Sequence, residues 1–370
     1  MGAGGTVAAI RTDLLSVPLA FPLREHPFLG QRTQFATLLV RVRSKEGAEG
    51  FGYVTAESTA QMAAVERIVE SLEPVIVGSA VAYRARTFRR MWQLTAELLH
   101  EGAANLAIAA VDTALWDLAG KIAGQPLAAL IGAHHDAVPI YASHGLWRHC
   151  TLDEIAADGQ RLVKEGFTAM KLRIKGESIT EDIARVEALR AAVGPDIAIL
   201  TDALWSMPPA RAVRLSRAMA EHDVVWLEDP VAEDDPAGLA RVARAEGTPI
   251  ATGERISRLT TLQGLLDSAD IDHLILDLHH LGGITPWLQA AALAEARAIP
   301  VSAHIAYEVQ QPLLASCLRP GYLEYLPFWD VLYQEPPRPT HGMLATSDRP
   351  GLGLDLDEAA IGRLRVRAAA

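Results

Sequence analysis

The sequence contains the apolar stretches AILTDALW (198–205), VVWLEDP (224–230) and PIATGER (249–255), each of which carries an acidic residue near its carboxyl-terminal end. Asp202 and Glu228 lie 26 residues apart, as do Glu228 and Glu254. That interval fits one β-strand plus one α-helix, so the period predicts acids gathered at the carboxyl-terminal mouth of a (β/α)8 barrel. Three carboxylates at one mouth form a site of hard oxygen ligands, which suits Mg²⁺ best. The alternative is that three unrelated acids cap helices or end strands.

The same alternation of strand and helix extends in both directions from these stretches, beginning at about Val138. Eight short apolar segments predict strands: VPIYASHG (138–145), FTAMKLRI (167–174), the three above, HLILDLHH (273–280), IPVSAHI (299–305) and GYLEYL (321–326). Amphipathic helical patterns separate them, which indicates a parallel α/β architecture. A doubly wound open sheet would collect its ligands at one switch point. Polar residues end six or seven of these strands, and this favours the closed barrel.

The first part of the chain has a different pattern. Two segments, RTQFATLLVRVRSKEG (32–47) and GFGYVTA (50–56), predict a strand pair joined by a turn. A helix is predicted from Met62 until Pro74 breaks it, and a second, apolar on nearly all sides and therefore buried, from Asn105 to Ala123. We expect an α+β domain over residues 1–125, a barrel over 126–344, and a tail, 345–370, that returns to the first domain.

Composition limits the partners and the compartment. The 370 residues are half hydrophobic and carry a net charge of −11, which argues against nucleic acid and anionic membranes as partners. An anionic substrate remains compatible, because a bound metal ion can outweigh the global field. Only Cys150 and Cys317 are cysteines, in no ligand pattern, which fits a reducing cytoplasm. The amino terminus predicts no signal peptide, and the apolar stretches are too interrupted to span a bilayer.

Further polar residues occur at the other predicted strand ends. Lys171 and Arg173 are two residues apart and therefore point to the same side of a strand, which requires something anionic between them. Asp277 and His304 end successive strands and predict a dyad in which the carboxylate orients the imidazole and raises its basicity. Glu324 ends the last strand. A divalent cation that binds a substrate carboxylate would stabilise the enediolate formed when a base removes the α-proton.

In these features the sequence resembles the enolase superfamily, within it the mandelate racemase-like subgroup (mandelate racemase/muconate lactonizing enzyme). The resemblance covers nearly the whole chain. Its motifs are DTALWDLAGK (112–121), the Lys171-Leu172-Arg173 strand, the three acids, the segment from Asp277 to two glycines, His304 and Glu324. It implies a modified TIM barrel of the (β/α)7β type with an amino-terminal α+β capping domain that the tail completes.

The resemblance also implies roles for these residues. The three acids would bind one Mg²⁺ per active site, and the Asp277–His304 dyad would be the general base. Glu324 would hydrogen-bond the enediolate, and Lys171 would help to hold the substrate carboxylate. The capping loop around His26 would close the site over the substrate and set specificity. Apart from the resemblance, Trp147 is a candidate substrate contact because it follows the first barrel strand. Family habit implies a homo-oligomer, from dimer to octamer.

One departure from the family pattern bears on the reaction. The second lysine of the Lys-x-Lys strand, usually a base on the opposite face of the substrate, is Arg173 here. Arginine stays protonated, so it is a poor base and a good carboxylate partner. This weakens a two-base racemase and leaves intact a one-base elimination run by His304. The leading hypothesis is dehydration of an aldonate or aldarate to a 2-keto-3-deoxy acid. The alternatives are a racemase, epimerase or cycloisomerase acting on a related acid, and a non-catalytic sugar-acid-binding protein.

Overall fold

The computed structural model describes residues 5–26, 30–232 and 234–366, without the side chains of residues 21–26, 30 and 31. The amino-terminal part is an antiparallel sheet in the order β1-β2-β3, formed by Val7–His26, Gly30–Ser44 and Glu49–Ala56. Four helices follow: α1 (Thr59–Ile76), α2 (Arg84–Leu94), α3 (Ala103–Ala123) and α4 (Leu127–Ile131). We call the three strands with α1–α3 the capping domain.

Two local features of this domain differ from the sequence-based predictions. Strand β1 was not predicted, because Pro18 interrupts its pattern; a proline is tolerated there because β1 is an edge strand. Helix α1 continues through Pro74 to Ile76, since a proline in the last turn sacrifices little helical hydrogen bonding. Helix α3 is buried along most of its length, as its apolar composition predicts.

In the described part of the chain, eight parallel strands form the barrel, and β11 pairs with β4 to close it. They are β4 (Ala137–Ala142), β5 (Ala169–Arg173), β6 (Ala198–Asp202), β7 (Val224–Glu228), β8 (Ile250–Thr252), β9 (His273–Asp277), β10 (Val301–His304) and β11 (Pro320–Tyr325). The closed parallel barrel is confirmed, and the open sheet is excluded by this pairing.

The barrel strands are connected by helices whose caps the sequence supplies. These are α5 (Leu152–Lys164), α6 (Ile179–Val193), α7 (Pro209–Met219), α8 (Pro236–Ala243), α9 (Leu259–Ser268), α10 (Leu278–Leu281), α11 (Ile284–Glu295) and α12 (Tyr307–Ala315). Thr151 and Glu154 form a capping box on α5, and Asp235 caps α8. None of the helices in the described ranges combines the length and apolar character needed to cross a bilayer.

Alternation along the strands places apolar side chains inside the barrel and polar ones above them. The interior is filled by a buried cluster that includes Tyr141, Ala169, Leu200, Trp226 and Ile275. Two residues further along their strands come Lys171, Asp202, Glu228 and Asp277. Because side chains on a strand alternate between its two faces, these polar groups lie on top of the apolar layer, at the mouth.

After the barrel, the chain returns to both parts of the molecule. Strand β12 (Met343–Ala345) pairs antiparallel with β4. Helix α13 (Glu358–Leu364) follows, and beyond it the amide of Val366 donates a hydrogen bond to the carbonyl of Leu14 on β1 (2.8 Å). The tail thus connects the barrel with the amino-terminal sheet.

Candidate active site

Strand register brings the predicted residues of the mouth side by side. Arg173 is the ladder neighbour of Asp202, and Asp202 is the neighbour of Glu228. On the opposite side, His304 is the neighbour of Asp277. Glu254 lies two residues beyond the end of β8, and Glu324 is the last residue but one of β11. The structure therefore places all the barrel residues singled out from the sequence, apart from Trp147, at or next to strand ends of one mouth.

The Asp277–His304 pair has the geometry of an oriented imidazole. Asp277 Oδ2 lies 2.7 Å from His304 Nδ1, so Nε2 is directed towards Glu254 Oε2 (3.3 Å) and Glu324 Oε2 (3.7 Å). Burial by itself lowers the pKa of His304, but the negative charges of Glu254, Asp277 and Glu324 outweigh it and raise the pKa to about 10. Although burial opposes it, His280 and His304 hold the pKa of Asp277 below its usual range.

Lys171 is buried among acids and not free in the cavity. Its Nζ lies 3.0 Å from Glu228 Oε1, 3.0 Å from Glu324 Oε1 and 3.4 Å from Asp202 Oδ2. Burial lowers the pKa of this ammonium, but Glu228 and Glu324 more than offset that and raise it well above its ordinary value. Lys171 is therefore a fixed positive charge and a poor base.

Glu324 is held as a carboxylate from both of its oxygens. Oε1 forms an ion pair with Lys171 (3.0 Å) and accepts a hydrogen bond from the hydroxyl of Ser143 (2.6 Å), and Oε2 accepts one from the amide of Ile305 (3.0 Å). Burial opposes ionisation, yet Lys171, His304 and Arg173 hold the pKa of Glu324 well below its usual range. It faces the same space as His304 Nε2.

The three acids proposed as metal ligands form a donor set of carboxylate oxygens only. Asp202, Glu228 and Glu254 are each at least nine-tenths buried. Burial, with repulsion from Asp202 and Glu254, raises the pKa of Glu228 to about 8 against the pull of Lys171. Burial also raises the pKa of Glu254. Negative charge thus exceeds the positive charge that the protein supplies here, and a divalent, oxygen-seeking cation fits this set.

The carboxylates are oriented towards protein cations in this structure. Asp202 and Glu228 are turned to Lys171, and Glu254 is turned to His304. Within the described residues, no group of three or more acidic, histidine or cysteine side chains is drawn around a common point as a preformed coordination shell.

Arg173 lies over an aromatic ring at the edge of the mouth. Its guanidinium lies 4.1 Å from the centre of the Trp147 ring and donates to the carbonyl (3.1 Å) and hydroxyl (2.8 Å) of Ser143. The same Ser143 hydroxyl donates to Glu324, so it fixes both charged groups. A stacked, hydrogen-bonded guanidinium presents a directed positive charge.

A cavity of about 630 Å³ lies between the capping domain and the barrel mouth. Arg173, His304 and Trp147 line it from the barrel, and Arg32 and Thr55 line it from the capping domain. Arg32 is paired with Glu57 at 2.5 Å. The side chain of His26 lies outside the described residues. The cavity reaches the dyad from the capping side, which is where a substrate's distal end would lie.

Sequence reasoning missed two polar groups that the structure brings to this site. Ser143 directly follows β4, and the strand-end argument applied to YASHG would have found it. His280, three residues after Asp277, also lines the cavity, and its Nδ1 lies 2.8 Å from the carbonyl oxygen of Glu254. His279, by contrast, is buried against Tyr53, and burial lowers its pKa to about 4.

Comparison with known protein families gives two matches that together cover most of the chain. Residues 17–132 match the mandelate racemase / muconate lactonizing enzyme N-terminal domain. Residues 154–360 match the enolase C-terminal domain-like family.

Similar proteins match along almost their whole length. The 3,6-anhydro-α-L-galactonate cycloisomerase of Streptomyces coelicolor is 31% identical, over 97% of this chain and 99% of the relative. The L-talarate/galactarate dehydratase of Salmonella typhimurium is 30% identical, over 96% of this chain and 90% of the relative. The crystal structure of the latter enzyme with Mg and L-lyxarohydroxamate superimposes with a TM-score of 0.93 at 29% identity, and covers 98% of this chain and 94% of that one.

Proposed function

The chain belongs to the mandelate racemase/muconate lactonizing enzyme family of the enolase superfamily, and on that premise we propose that it dehydrates an acid sugar. The substrate would be an aldonate or aldarate, and the product a 2-keto-3-deoxy acid. Relatives at about this similarity include acid-sugar dehydratases and cycloisomerases, which supports an enzyme acting on a sugar-derived carboxylate.

The cofactor is one Mg²⁺ ion, as in related structures that contain it, and the carboxylates of Asp202, Glu228 and Glu254 would hold it. When bound, the ion supplies positive charge to the substrate carboxylate as its α-proton leaves, and the same charge offsets the carboxylates that raise the pKa of His304. Lys171, which already lies beside Asp202 and Glu228, would hold the substrate carboxylate from the other side.

The observation that carries the proposal is that only one face of the mouth presents a side chain suited to remove a proton. His304, oriented by Asp277, has a ring nitrogen directed into the site. Arginine is a poor base, and Lys171 is held in ion pairs with carboxylates of the barrel and does not line the cavity, so neither is a ready base. In the described part of the mouth, proton removal therefore falls to one face, which favours elimination over racemisation.

The atoms of the dehydration balance without any reactant other than the substrate. Nε2 of His304 takes the α-proton, and the C–H electron pair moves onto the substrate carboxylate to give the enediolate. The pair then returns to form a double bond between C2 and C3 as the C3–O bond breaks. The hydroxyl on C3 leaves with a proton, which His304 is positioned to return, as water. Glu324 Oε2 lies 3.7 Å from the same nitrogen. To hydrogen-bond an enediolate oxygen, the role that the family resemblance implies, Glu324 would have to carry a proton, because an ionised carboxylate only accepts hydrogen bonds. The resulting enol converts to the 2-keto acid.

A cycloisomerase is the second candidate, because the relative that is 31% identical over 97% of the chain has that activity. Its first step needs the same base. A leaving oxygen that belongs to a ring stays attached to the substrate, so the product would have the mass of the substrate. A dehydratase product would be lighter by one water.

The deciding experiment is incubation of the Mg²⁺-loaded protein in D₂O with a panel of aldonic and aldaric acids, their lactones and anhydro forms. A 2-keto product lighter by one water is expected from one or a few acids. A product that has lost no water, and differs from the substrate in mass only by deuterium taken up from the solvent, would replace the dehydratase with the cycloisomerase. Exchange of the α-proton for deuterium with inversion at that carbon, without either product, would indicate an epimerase and would contradict the one-base argument.

A further inference from the structure

We propose that Asn105 is a positioning residue through which the capping domain fixes the two barrel loops that carry Glu254 and Asp277. Asn105 lies in the first turn of α3 and is fully buried. Its amide nitrogen donates to the carbonyl of Ser257 at 2.8 Å and to the carbonyl of His280 at 2.8 Å. These partners are 152 and 175 residues away along the chain, on two different loops of the mouth.

The first loop begins at the end of β8 and contains Glu254. Ser257 is three residues further on, so its carbonyl anchors a short segment that has little freedom to move. The segment starts at Gly253, whose φ of +126° and approach to the carbonyl of Ile275 leave no space for a side chain. One end of the Glu254 segment is therefore fixed by the barrel, and the other end by the capping domain.

The second loop is the single helical turn α10, which directly follows Asp277. Asp277 Oδ1 accepts a hydrogen bond from the amide of His280 (2.7 Å) and caps the start of this turn. Its other oxygen holds His304. Asn105 binds the carbonyl of His280, at the end of the same turn. A displacement of α10 would therefore move the carboxylate that orients the base.

The two loops are also joined to each other. His280 Nδ1 lies 2.8 Å from the carbonyl oxygen of Glu254. The contacts therefore form a closed set: Asn105 binds Ser257 and His280, and His280 lies against Glu254. This set joins the loop that carries Glu254 to the turn that follows Asp277. One buried side chain of the capping domain completes this set.

An amide is the side chain that these contacts require. Both protons of the Asn105 nitrogen are used, one for each loop, whereas Oδ1 has no hydrogen-bond partner among the described residues. The side chain is therefore engaged as a donor and not as a cap of its own helix. Leucine has a similar size and no donor, and aspartate has no N–H, so either would leave two buried carbonyls unpaired.

Loss of these two hydrogen bonds is expected to affect the metal site and the base together. Partners that orient ligands typically contribute about 10–100-fold in metal affinity or activity. We expect Asn105→Leu to weaken Mg²⁺ binding and to lower kcat, each within about that range. The effect on kcat rests on the proposed function, whereas the effect on Mg²⁺ affinity does not.

The matched control is Thr285→Val. Thr285 Oγ1 donates to Asp112 on the same helix α3 at 2.7 Å, so this variant also breaks a contact between capping domain and barrel. That contact leads to the first turn of α11, and neither Thr285 nor Asp112 lines the cavity. A general loosening of the two domains would affect both variants alike.

The experiment measures Mg²⁺ dissociation constants by titration calorimetry, melting temperatures, and kcat and KM for the acid found in the substrate panel. Asn105→Leu should lose Mg²⁺ affinity while Thr285→Val keeps it, at similar losses of melting temperature. Asn105→Asp provides a second variant if the leucine variant does not fold. Parental Mg²⁺ affinity in both Asn105 variants, or an equal loss in Thr285→Val, would overturn the inference. If no acid is turned over, the Mg²⁺ titrations still decide it.

Discussion

A pH-dependent contribution to stability is expected from Glu308, a buried carboxyl on α12. Its Oε1 accepts hydrogen bonds from Tyr53 of the capping domain (2.6 Å) and from Tyr333 (2.9 Å), and its Oε2 has no partner among the described residues. The side chain is 3% exposed. Burial raises its pKa from 4.5 to about 7, although the hydrogen bond from Tyr53 opposes the rise.

The direction of the effect follows from which state holds the proton. Between pH 4.5 and about 7, Glu308 is protonated in the folded state and ionised in the unfolded one. Its contribution to the free energy of unfolding is therefore fully present below pH 4.5 and is lost as the pH rises through about 7. The difference between these two pKa values corresponds to about 3 kcal/mol.

Glu308→Gln should remove this dependence, because glutamine keeps the acceptor for Tyr53 and Tyr333 and never ionises. Urea unfolding would be followed for parent and variant at several pH values between 4.5 and 8.5. The two proteins should have similar stability at the acidic end, and the variant should be more stable by about 3 kcal/mol at the alkaline end. Glu187→Gln, an exposed substitution on α6, is the control. A constant difference between parent and Glu308→Gln across the pH range would refute the reasoning.

Three further predictions concern the mouth. His304→Asn should lower kcat by about 10²- to 10⁴-fold, the usual contribution of a general base. The affinity for Mg²⁺, measured by calorimetry, should not change. Appreciable turnover would exclude His304 as the base. Arg173→Lys should keep elimination and admit epimerisation, seen by NMR as α-deuteration with inversion, since lysine can lose a proton; complete inactivity would instead indicate a directed guanidinium contact with the substrate. Glu254→Gln should weaken Mg²⁺ binding strongly, and unchanged affinity would remove Glu254 from the ligand set.

Local patterns in the sequence were sufficient to predict the architecture. The spacing of apolar residues predicts the eight barrel strands and the buried helix α3. This is possible because the burial of a strand or helix is visible in a short stretch of sequence. Strand β1 was missed because edge strands tolerate prolines that normally argue against a strand. The regular spacing, together with the position of each acid near the carboxyl end of its apolar stretch, also predicts which end of the strands carries Asp202, Glu228 and Glu254.

The sequence by itself therefore determined the fold and the set of polar groups at one mouth, since alternation along a strand and the βα repeat are local properties. Only the tertiary structure decided how those groups pair. It turned Lys171 to Glu228 and Glu324 and so made it a fixed cation, and it brought Asn105 to two loops more than 150 residues away. Such pairings depend on distances across the barrel and between domains, which no periodicity along the chain encodes.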